Sequence, residues 1–294
     1  VTLDHPIARV ARALTGRRVG VALGGGGAWG YAHVSLLRSL IARKIPIDAV
    51  SGASFGSVVG SYFAAQGEEG LSLLLEHTRQ TGLAIQFGMV NNYTVEYAVE
   101  RDLGRMVLED LDIPFFPCAT NIGNGAQKVI TRGTLGRAVR ASGSFPGAFA
   151  ATRLGTSRLV DGAIVSNIPD EVLIPEGCFL VVASNIVAEP PAEKAGPPRK
   201  TRVGRALADL NPVQRLRDLV RGSLIMLHAA GDLDASQADY VFEPKAVPWM
   251  FWDTDRGREI ADDAVERANQ AADWIEKRWR SMCAAPHGEA ETAR

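Results

Sequence analysis

The sequence predicts an α/β fold in which helices pack on the faces of a mainly parallel sheet. Short apolar runs of β type alternate with longer segments of helical periodicity, as expected when helices join the strands of a sheet. Two glycine-rich turns, at residues 24–30 and 52–56, each lead from a predicted strand into a predicted helix. With 46% hydrophobic and 22% charged residues, the 294-residue chain has the composition of a globular protein with a sizeable core.

The predicted elements follow in order along the chain. Strands are expected at 18–23, 47–51, 115–121, 127–131, 157–160 and 178–184. Helices are expected for about 15 residues after the first glycine turn, at 57–66 up to Gly67, shortly after Thr134, and near 212–230 and 257–281. We expect one domain over residues 18–281, with an N-terminal segment at 1–17 and a frayed tail at 284–294.

Charge, cysteine content and hydropathy restrict the class of protein. A formal charge of −1 gives no overall attraction to nucleic acid or anionic lipid. Cys118, Cys178 and Cys283 are odd in number and far apart, which favours neither a disulfide framework nor a metal site and indicates a cytoplasmic protein. No apolar run approaches the roughly 20 residues that span a bilayer, so membrane contact is expected to be peripheral. Because the chain begins at Val1 rather than Met, we expect either a longer protein with an additional domain or a non-standard start codon.

The stretch GASFG, residues 52–56, has the G-x-S-x-G spacing of a nucleophile elbow. A sharp strand-to-helix turn would strain the backbone of Ser54 and expose its hydroxyl, while Gly52 and Gly56 would let neighbouring backbone pass closely. The positive end of the following helix would favour an oxyanion there. The pattern predicts a nucleophilic Ser54, although the same spacing also occurs by chance.

The stretch GGGGAWG, residues 24–30, has three interpretations. Residues 25–30 match the G-x-G-x-x-G fingerprint of a dinucleotide-binding oxidoreductase, but that site requires an acidic residue at the end of the second strand, and Asp48 lies at its beginning. The second interpretation is an oxyanion hole in which the N–H groups of Gly25, Gly26 and Gly27 converge beside the serine. In the third, the glycines only form a tight turn. Four consecutive glycines favour the oxyanion hole.

A serine nucleophile needs a base, and none of the five histidines is well placed for this role. Four of them lie in a terminal segment or a helix: His5, His77, His228 and His287. His33 falls in the helix after the glycine loop, where a packed histidine is the commoner role. Asp161 ends a short apolar strand and precedes Gly162, so its carboxylate would be presented there and partly desolvated. An aspartate that caps its own turn is the alternative.

Taken in order, GGGGAWG, GASFG and the DGA at residues 161–163 resemble the motifs of the patatin-like phospholipase family. The resemblance covers most of residues 18–185 and includes RAVRASGSFPGAF at 137–149 and the sequence Asn167-Ile168-Pro169. It implies a three-layer α/β/α sandwich that hydrolyses acyl esters of lipids, phospholipids among them, through an acyl-enzyme and without metal or organic cofactor. It also implies a dyad of Ser54 as nucleophile and Asp161 as general base, an oxyanion hole in the glycine loop, and supporting glycines at Gly30, Gly52, Gly56 and Gly162.

One residue departs from the family pattern. The family's glycine loop usually carries Arg or Lys where this chain has Trp29. The change retains the backbone N–H groups but removes a positive charge. Three interpretations follow: an active enzyme in which this side chain only tunes catalysis, a Trp29 that lines the acyl pocket, and a catalytically degenerate lipid-binding protein.

Two segments outside the motifs could contact lipid. Residues 189–221 carry eight Lys or Arg residues against four Asp or Glu, and 188–204 read as a mobile, basic loop that could bind anionic headgroups. A solvated surface is the commoner meaning of such a charge excess. The aromatic residues at 248–252 would either insert into a membrane interface or pack on the sheet. Basic residues without interleaved aromatics predict no nucleic-acid partner.

Overall fold

The fold is a mixed, mainly parallel sheet flanked by helices. The computed structural model describes residues 6–88, 92–187, 218, 221–222, 225–228, 235–244 and 252–284. Within these ranges the strands are β1 (Arg18–Leu23), β2 (Ala49–Ala53), β3 (Phe115–Asn121), β4 (Gln127–Val129), β5 (Thr152–Leu154), β6 (Ser157–Asp161), β7 (Cys178–Ser184) and β8 (Tyr240–Phe242). The helices are α1 (Pro6–Leu14), α2 (Ala32–Ala42), α3 (Phe55–Glu76), α4 (Thr78–Gly88), α5 (Tyr93–Leu103), α6 (Leu135–Ser142) and α7 (Gly257–Ala284).

The strand order places the ends of the central strands at one edge of the sheet. The order is β5-β6-β3-β2-β1-β7-β8, and β4 pairs with β3. β1 is parallel to β2 and β7, and β2 is parallel to β3, whereas β6 runs antiparallel to β3. Because the carboxyl ends of parallel strands lie at the same edge, the glycine turns after β1 and β2 are neighbours.

The two faces of the sheet have cores of different size. In β1, Val19, Val21 and Leu23 belong to a large core that also contains the buried residues of α2, α3 and α7, whereas Ala22 belongs to a smaller core. The smaller core includes Ile168 and other residues of the segment that follows β6. This alternation is the period of two that a strand buried on both faces requires. None of the described helices combines the length and apolar composition needed to cross a bilayer.

Most predicted elements occur, with shifts at their ends. β1, β3 and β7 have the predicted bounds, and β2 begins two residues later than expected. α3 runs through Gly67, where the helix was expected to end, but with a kink at that glycine (φ 61°). α1, α4, α5, β5 and β8 were not predicted. α1 lies in the expected N-terminal segment and is too short to be recognised without its tertiary contacts.

Several predictions fall outside the described residues. They concern the basic loop at 188–204, residues 248–251, the tail from 285 onward, and His5 and His287. Of the helix expected at 212–230, residues 218, 221–222 and 225–228 are described, and all are helical.

Candidate active site

Ser54 occupies a strained turn between β2 and α3. Its backbone has φ 52° and ψ −124°, a conformation that residues other than glycine rarely adopt. The Ser54 N–H donates to the carbonyl oxygen of Ser142 at 3.3 Å and to its Oγ at 3.2 Å. The Ser142 hydroxyl in turn donates to the carbonyl of Cys118 at 2.6 Å. The end of α6 and strand β3 therefore hold the turn from behind.

The glycines that flank the serine lie where no side chain fits. A Cβ at Gly52 would lie 2.9 Å from the carbonyl group of Gly56, and one at Gly56 would lie 2.1 Å from the carbonyl oxygen of Leu23. Since real Cβ atoms do not approach backbone so closely, both positions of the predicted elbow require glycine in this packing.

The glycine loop passes directly against Ser54. A Cβ at Gly25 would lie 2.8 Å from the Ser54 Cβ and 3.2 Å from the Ala163 Cβ. The N–H of Gly25, which was expected to face an oxyanion, instead donates to Oδ1 of Asn167 at 2.9 Å and to its carbonyl at 3.3 Å. Gly26 precedes a 3-10 turn over Gly27–Tyr31, and Gly27 has a positive φ of 59°.

The remaining predicted glycines are also in close contact with the site. A Cβ at Gly30 would lie 2.3 Å from Cδ1 of Phe55, the first residue of α3. One at Gly162 would lie 2.2 Å from the carbonyl oxygen of Cys118 in β3. The two turns and the acidic loop are thus packed on each other through positions without side chains.

Asp161 is fully buried at the end of β6. It pairs with Ala119 of β3, whose neighbour Cys118 pairs with Ala53, so a single strand separates the segments of Asp161 and Ser54. Its Oδ1 accepts the Ala163 N–H at 2.9 Å, which is the turn cap that the sequence left as the alternative.

The charge state of Asp161 is set by opposing influences. Burial raises the pKa of Asp161 from 3.8 to about 6, while hydrogen bonding by the Ser54 side chain and the Ala163 N–H lowers it. Oδ2 accepts no hydrogen bond of normal geometry from the described residues. The Ser54 side chain is therefore close enough to lower the pKa of this carboxyl group, although no hydrogen bond of normal geometry reaches Oδ2.

His33 is a packed histidine, as the sequence analysis favoured. It is fully buried, with Nε2 2.8 Å from the Gly24 carbonyl oxygen and Nδ1 2.7 Å from Oγ of Ser184. Burial lowers the pKa of His33 to about 4, so the ring is neutral near pH 7. The other described histidines contact Asp102 (His77) and the carbonyl of Val187 (His228). None of these contacts involves Ser54.

Trp29 lies in the large core rather than on the surface. Its side chain is 5% exposed, and its 3-10 turn packs against α7. The position at which the resembled family usually carries a cation is therefore buried in this chain. An arginine at this position would carry a desolvation cost that the sequence did not reveal.

Several residues that hold the site were not predicted from the sequence. Ser142 and Asn167 lie in the two segments that contribute to the family resemblance, the stretch at 137–149 and the Asn-Ile-Pro sequence. Ser184 is the last residue of β7. The partners of these residues are distant along the chain, so no local pattern indicates their roles.

The segment that follows Asp161 exposes apolar side chains. Ile164 and Val165 follow the acidic loop and are 50% and 42% exposed, although large aliphatic side chains are usually buried. Ala163, which precedes these two residues along the chain, lies against the glycine loop. An uncharged, flexible group could contact this edge of the site at little desolvation cost.

Comparisons with known proteins give a family match for this chain. The model of the patatin-like phospholipase family matches residues 21–174. Lysophospholipase NTE1 of Mycosarcoma maydis is 36% identical over 191 residues, which are 61% of this chain and 10% of that protein. Neuropathy target esterase sws of Drosophila melanogaster is 29% identical over 199 residues, 63% of this chain and 14% of that protein. The chain thus spans only a small part of the length of these relatives.

A solved structure gives a weaker match. VipD from Legionella pneumophila has a TM-score of 0.44 and 15% identity, with coverage of 89% of this chain and 67% of that one. This likeness adds nothing to the family match.

Proposed function

This chain belongs to the patatin-like phospholipase family, and we propose that it hydrolyses acyl esters of lipids with Ser54 as nucleophile and Asp161 as general base. The observation that carries the proposal is the pairing of a strained, half-buried Ser54 with a fully buried Asp161 whose pKa is raised to about 6. Such a carboxylate is ionised at neutral pH yet more basic than an exposed aspartate.

The reaction would proceed through an acyl-enzyme. Asp161 takes the proton of the Ser54 hydroxyl while Oγ attacks the ester carbonyl, whose π electrons move onto its oxygen. The N–H groups of Gly26 and Gly27 stabilise this oxyanion, since that of Gly25 is bound to Asn167. The intermediate expels the alcohol, which takes the proton from Asp161. Water then releases the fatty acid by the same sequence of transfers, with Asp161 again as base.

The lipid class of substrate is supported by the apolar edge of the site. Exposed Ile164 and Val165 lie next to Asp161, where they can contact a fatty-acyl chain. The two relatives described above are named a lysophospholipase and an esterase. A dinucleotide site is not favoured, because β2 leads directly into Ser54 without an acidic residue at its end.

We also propose that the enzyme is cytoplasmic and acts at a lipid surface with peripheral contact, for which the basic loop at 188–204 is the candidate segment. Replacing its Lys and Arg residues by Gln should reduce sedimentation with anionic vesicles while leaving hydrolysis of a soluble ester unchanged. Equal sedimentation of both proteins would exclude this contact.

The nucleophile is tested with a fluorophosphonate probe and with hydrolysis of a short-chain ester and a lysophospholipid. The wild type should be labelled on the peptide that contains Ser54, and Ser54→Ala should lose both labelling and hydrolysis while it remains folded. Ser61→Ala is the matched control, since Ser61 is a buried serine of α3, the helix that follows Ser54, and its hydroxyl donates to the Val58 carbonyl. Label on another residue, or turnover by folded Ser54→Ala, would contradict the assignment. Lipid binding by a wild type that resists the probe would favour the degenerate, lipid-binding alternative.

A further inference from the structure

The peptide group that joins Gly24 to Gly25 is held from both sides. Its carbonyl oxygen lies 2.8 Å from Nε2 of His33, and its N–H donates to Oδ1 of Asn167 at 2.9 Å. Asn167 is 142 residues away along the chain. The preceding N–H, that of Gly24, donates to the carbonyl of Ser184 at 3.1 Å. The start of the glycine loop is thus bound by His33, Asn167 and Ser184.

The contact on the carbonyl side is fully specified. A carbonyl oxygen can only accept a hydrogen bond, so Nε2 of His33 carries the proton and Nδ1 accepts from the hydroxyl of Ser184 at 2.7 Å. Both side chains have no exposed surface. Burial keeps the pKa of His33 low, at about 4, so this tautomer persists across neutral pH. The ring links the end of β7 to the first peptide of the glycine loop.

The contact on the N–H side joins the loop to the segment that carries the base. Asn167 lies in the stretch that follows Asp161, and a Cβ at Gly25 would lie 2.9 Å from its Oδ1. The same Cβ would lie 2.8 Å from the Ser54 Cβ. The Gly24–Gly25 peptide thus lies between Ser54 and the segment that follows Asp161.

We propose that His33 and Asn167 are positioning residues that fix the Gly24–Gly25 peptide, and through it the N–H groups of Gly26 and Gly27 that stabilise the oxyanion. The inference rests on the proposed function. Glycines have the widest backbone freedom of all residues, so a run of four would otherwise populate many orientations. Donors that point at the developing charge before the reaction are worth far more than donors that must reorient.

The test compares His33→Leu with His33→Gln. Leucine removes the donor to the Gly24 carbonyl, whereas the amide nitrogen of glutamine can occupy the place of Nε2. For a short neutral ester, His33→Leu should lower kcat by about 10- to 100-fold and change KM by less than about twofold. This loss is smaller than the loss of kcat, about 10²–10³-fold, that removal of a whole oxyanion-hole donor causes. His33→Gln should recover most of this loss. Ser35→Ala, on the same helix, is the matched control, because it removes a buried donor whose described partner is the Ala261 carbonyl of α7 and not the Gly24–Gly25 peptide.

A second measurement separates positioning from general damage. A trifluoromethyl ketone forms a tetrahedral oxyanion on Ser54, so its inhibition constant should rise in parallel with the loss of kcat/KM in His33→Leu. A methyl ether with the same alkyl chain as the ketone forms no oxyanion, so His33→Leu should bind it as tightly as the wild type does. Ser35→Ala should shift the melting temperature alone. If His33→Leu does not fold, Asn167→Leu tests the other side of the peptide by the same two constants.

Three outcomes are distinguishable. A wild type that neither hydrolyses esters nor reacts with the fluorophosphonate would overturn the proposed function and the positioning role with it. An active wild type whose folded His33→Leu or Asn167→Leu variant keeps full kcat and full ketone affinity would overturn the positioning role alone. Equal loss of affinity for the ketone and the ether would also overturn it, since it would indicate a deformed pocket.

Discussion

At the scale of single residues, the proposed chemistry depends on how an aspartate becomes a sufficient base for a serine. Complete burial of Asp161 disfavours its charge and raises its pKa to about 6, while hydrogen bonding by Ser54 and the Ala163 N–H limits this rise. Without the two donors the pKa of the carboxyl would be higher. Without burial it would be too weak a base.

We therefore expect a single ionisation near pH 6 in the activity profile. At pH 5 about a tenth of the Asp161 carboxyl is ionised, so kcat/KM should be about tenfold below its plateau. Asp161→Asn should lower turnover by at least about 10²-fold at all pH values. The measurement is the pH dependence of kcat/KM for a neutral ester.

The control for this profile is Asp170→Asn. Burial also raises the pKa of Asp170, to about 7, but this carboxylate accepts the N–H of Gln237 and none of its described hydrogen bonds involves Ser54. The folded Asp170→Asn enzyme should keep the limb near pH 6. If the ionisation near pH 6 disappeared from the kcat/KM profile of Asp170→Asn and persisted in that of Asp161→Asn, Asp170 and not Asp161 would be the base.

The same burial predicts a gain in stability when the base is removed. Because the folded-state pKa lies above 3.8, the carboxyl favours folding only while protonated, and its contribution is lost as the pH rises through about 6. The advantage of Asp161→Asn in free energy of unfolding should therefore grow between pH 4 and pH 7 by up to about 3 kcal/mol. Urea titrations of both proteins at the two pH values measure it. An advantage that does not change with pH would be inconsistent with a destabilised carboxylate.

At the scale of elements, α1 shows how a helix outside the motifs is fixed to the sheet. Arg12 donates to both carboxylate oxygens of Asp48, with Nη2 2.7 Å from Oδ1, and Asp48 is fully buried. This carboxylate also accepts the N–H of Val19 in β1, at 3.0 Å. Asp48, which the dinucleotide interpretation placed at the wrong end of β2, thus serves to anchor α1.

Arg12→Ala should lower the free energy of unfolding by about 3–5 kcal/mol, because it leaves the buried charge of Asp48 without its cation. Arg105→Ala removes a cation that is 80% exposed and 3.7 Å from Glu100, and should cost about 1 kcal/mol or less. Chemical denaturation of the two variants makes the comparison. Equal small losses would mean that α1 does not stabilise the sheet.

At the scale of the whole molecule, the site depends on chain beyond the segment that the family model matches. That segment ends at residue 174, before β7, β8 and α7. β7 pairs with β1 and supplies Ser184, which contacts both Gly24 and His33. α7 packs along α2, the helix of His33, with a buried row of small and aliphatic residues: Ile260, Ala261, Ala264, Ala268, Ala271, Ala272 and Ile275.

Ala268→Glu should therefore destabilise the protein by more than about 2 kcal/mol, since it places an unpaired charge at a position with no exposed surface. Val265→Glu is the matched control on the same helix, because Val265 is 43% exposed, and it should change stability by less than about 0.5 kcal/mol. Urea midpoints give both values. Similar midpoints for the two variants would show that α7 is dispensable.

The sequence by itself determined the features that local patterns encode. Apolar runs bounded by glycine turns predicted β1, β3 and β7 at their observed residues. The spacing of the glycines around Ser54 predicted a sharp turn with a strained backbone, which the structure has. The apolar run before Asp161 predicted a strand that ends at this residue. These features depend on neighbours within a few residues, so they can be recognised along the chain.

Only the tertiary structure decided which groups hold the site and what each residue faces. Asn167 binds the N–H of Gly25, Ser142 binds that of Ser54, and Trp29 is buried in the large core. α1 was not predicted at all, because its anchor is an ion pair between residues 36 positions apart. Each of these contacts joins segments that are adjacent only after the sheet has ordered its strands, and no local pattern of side chains encodes that order.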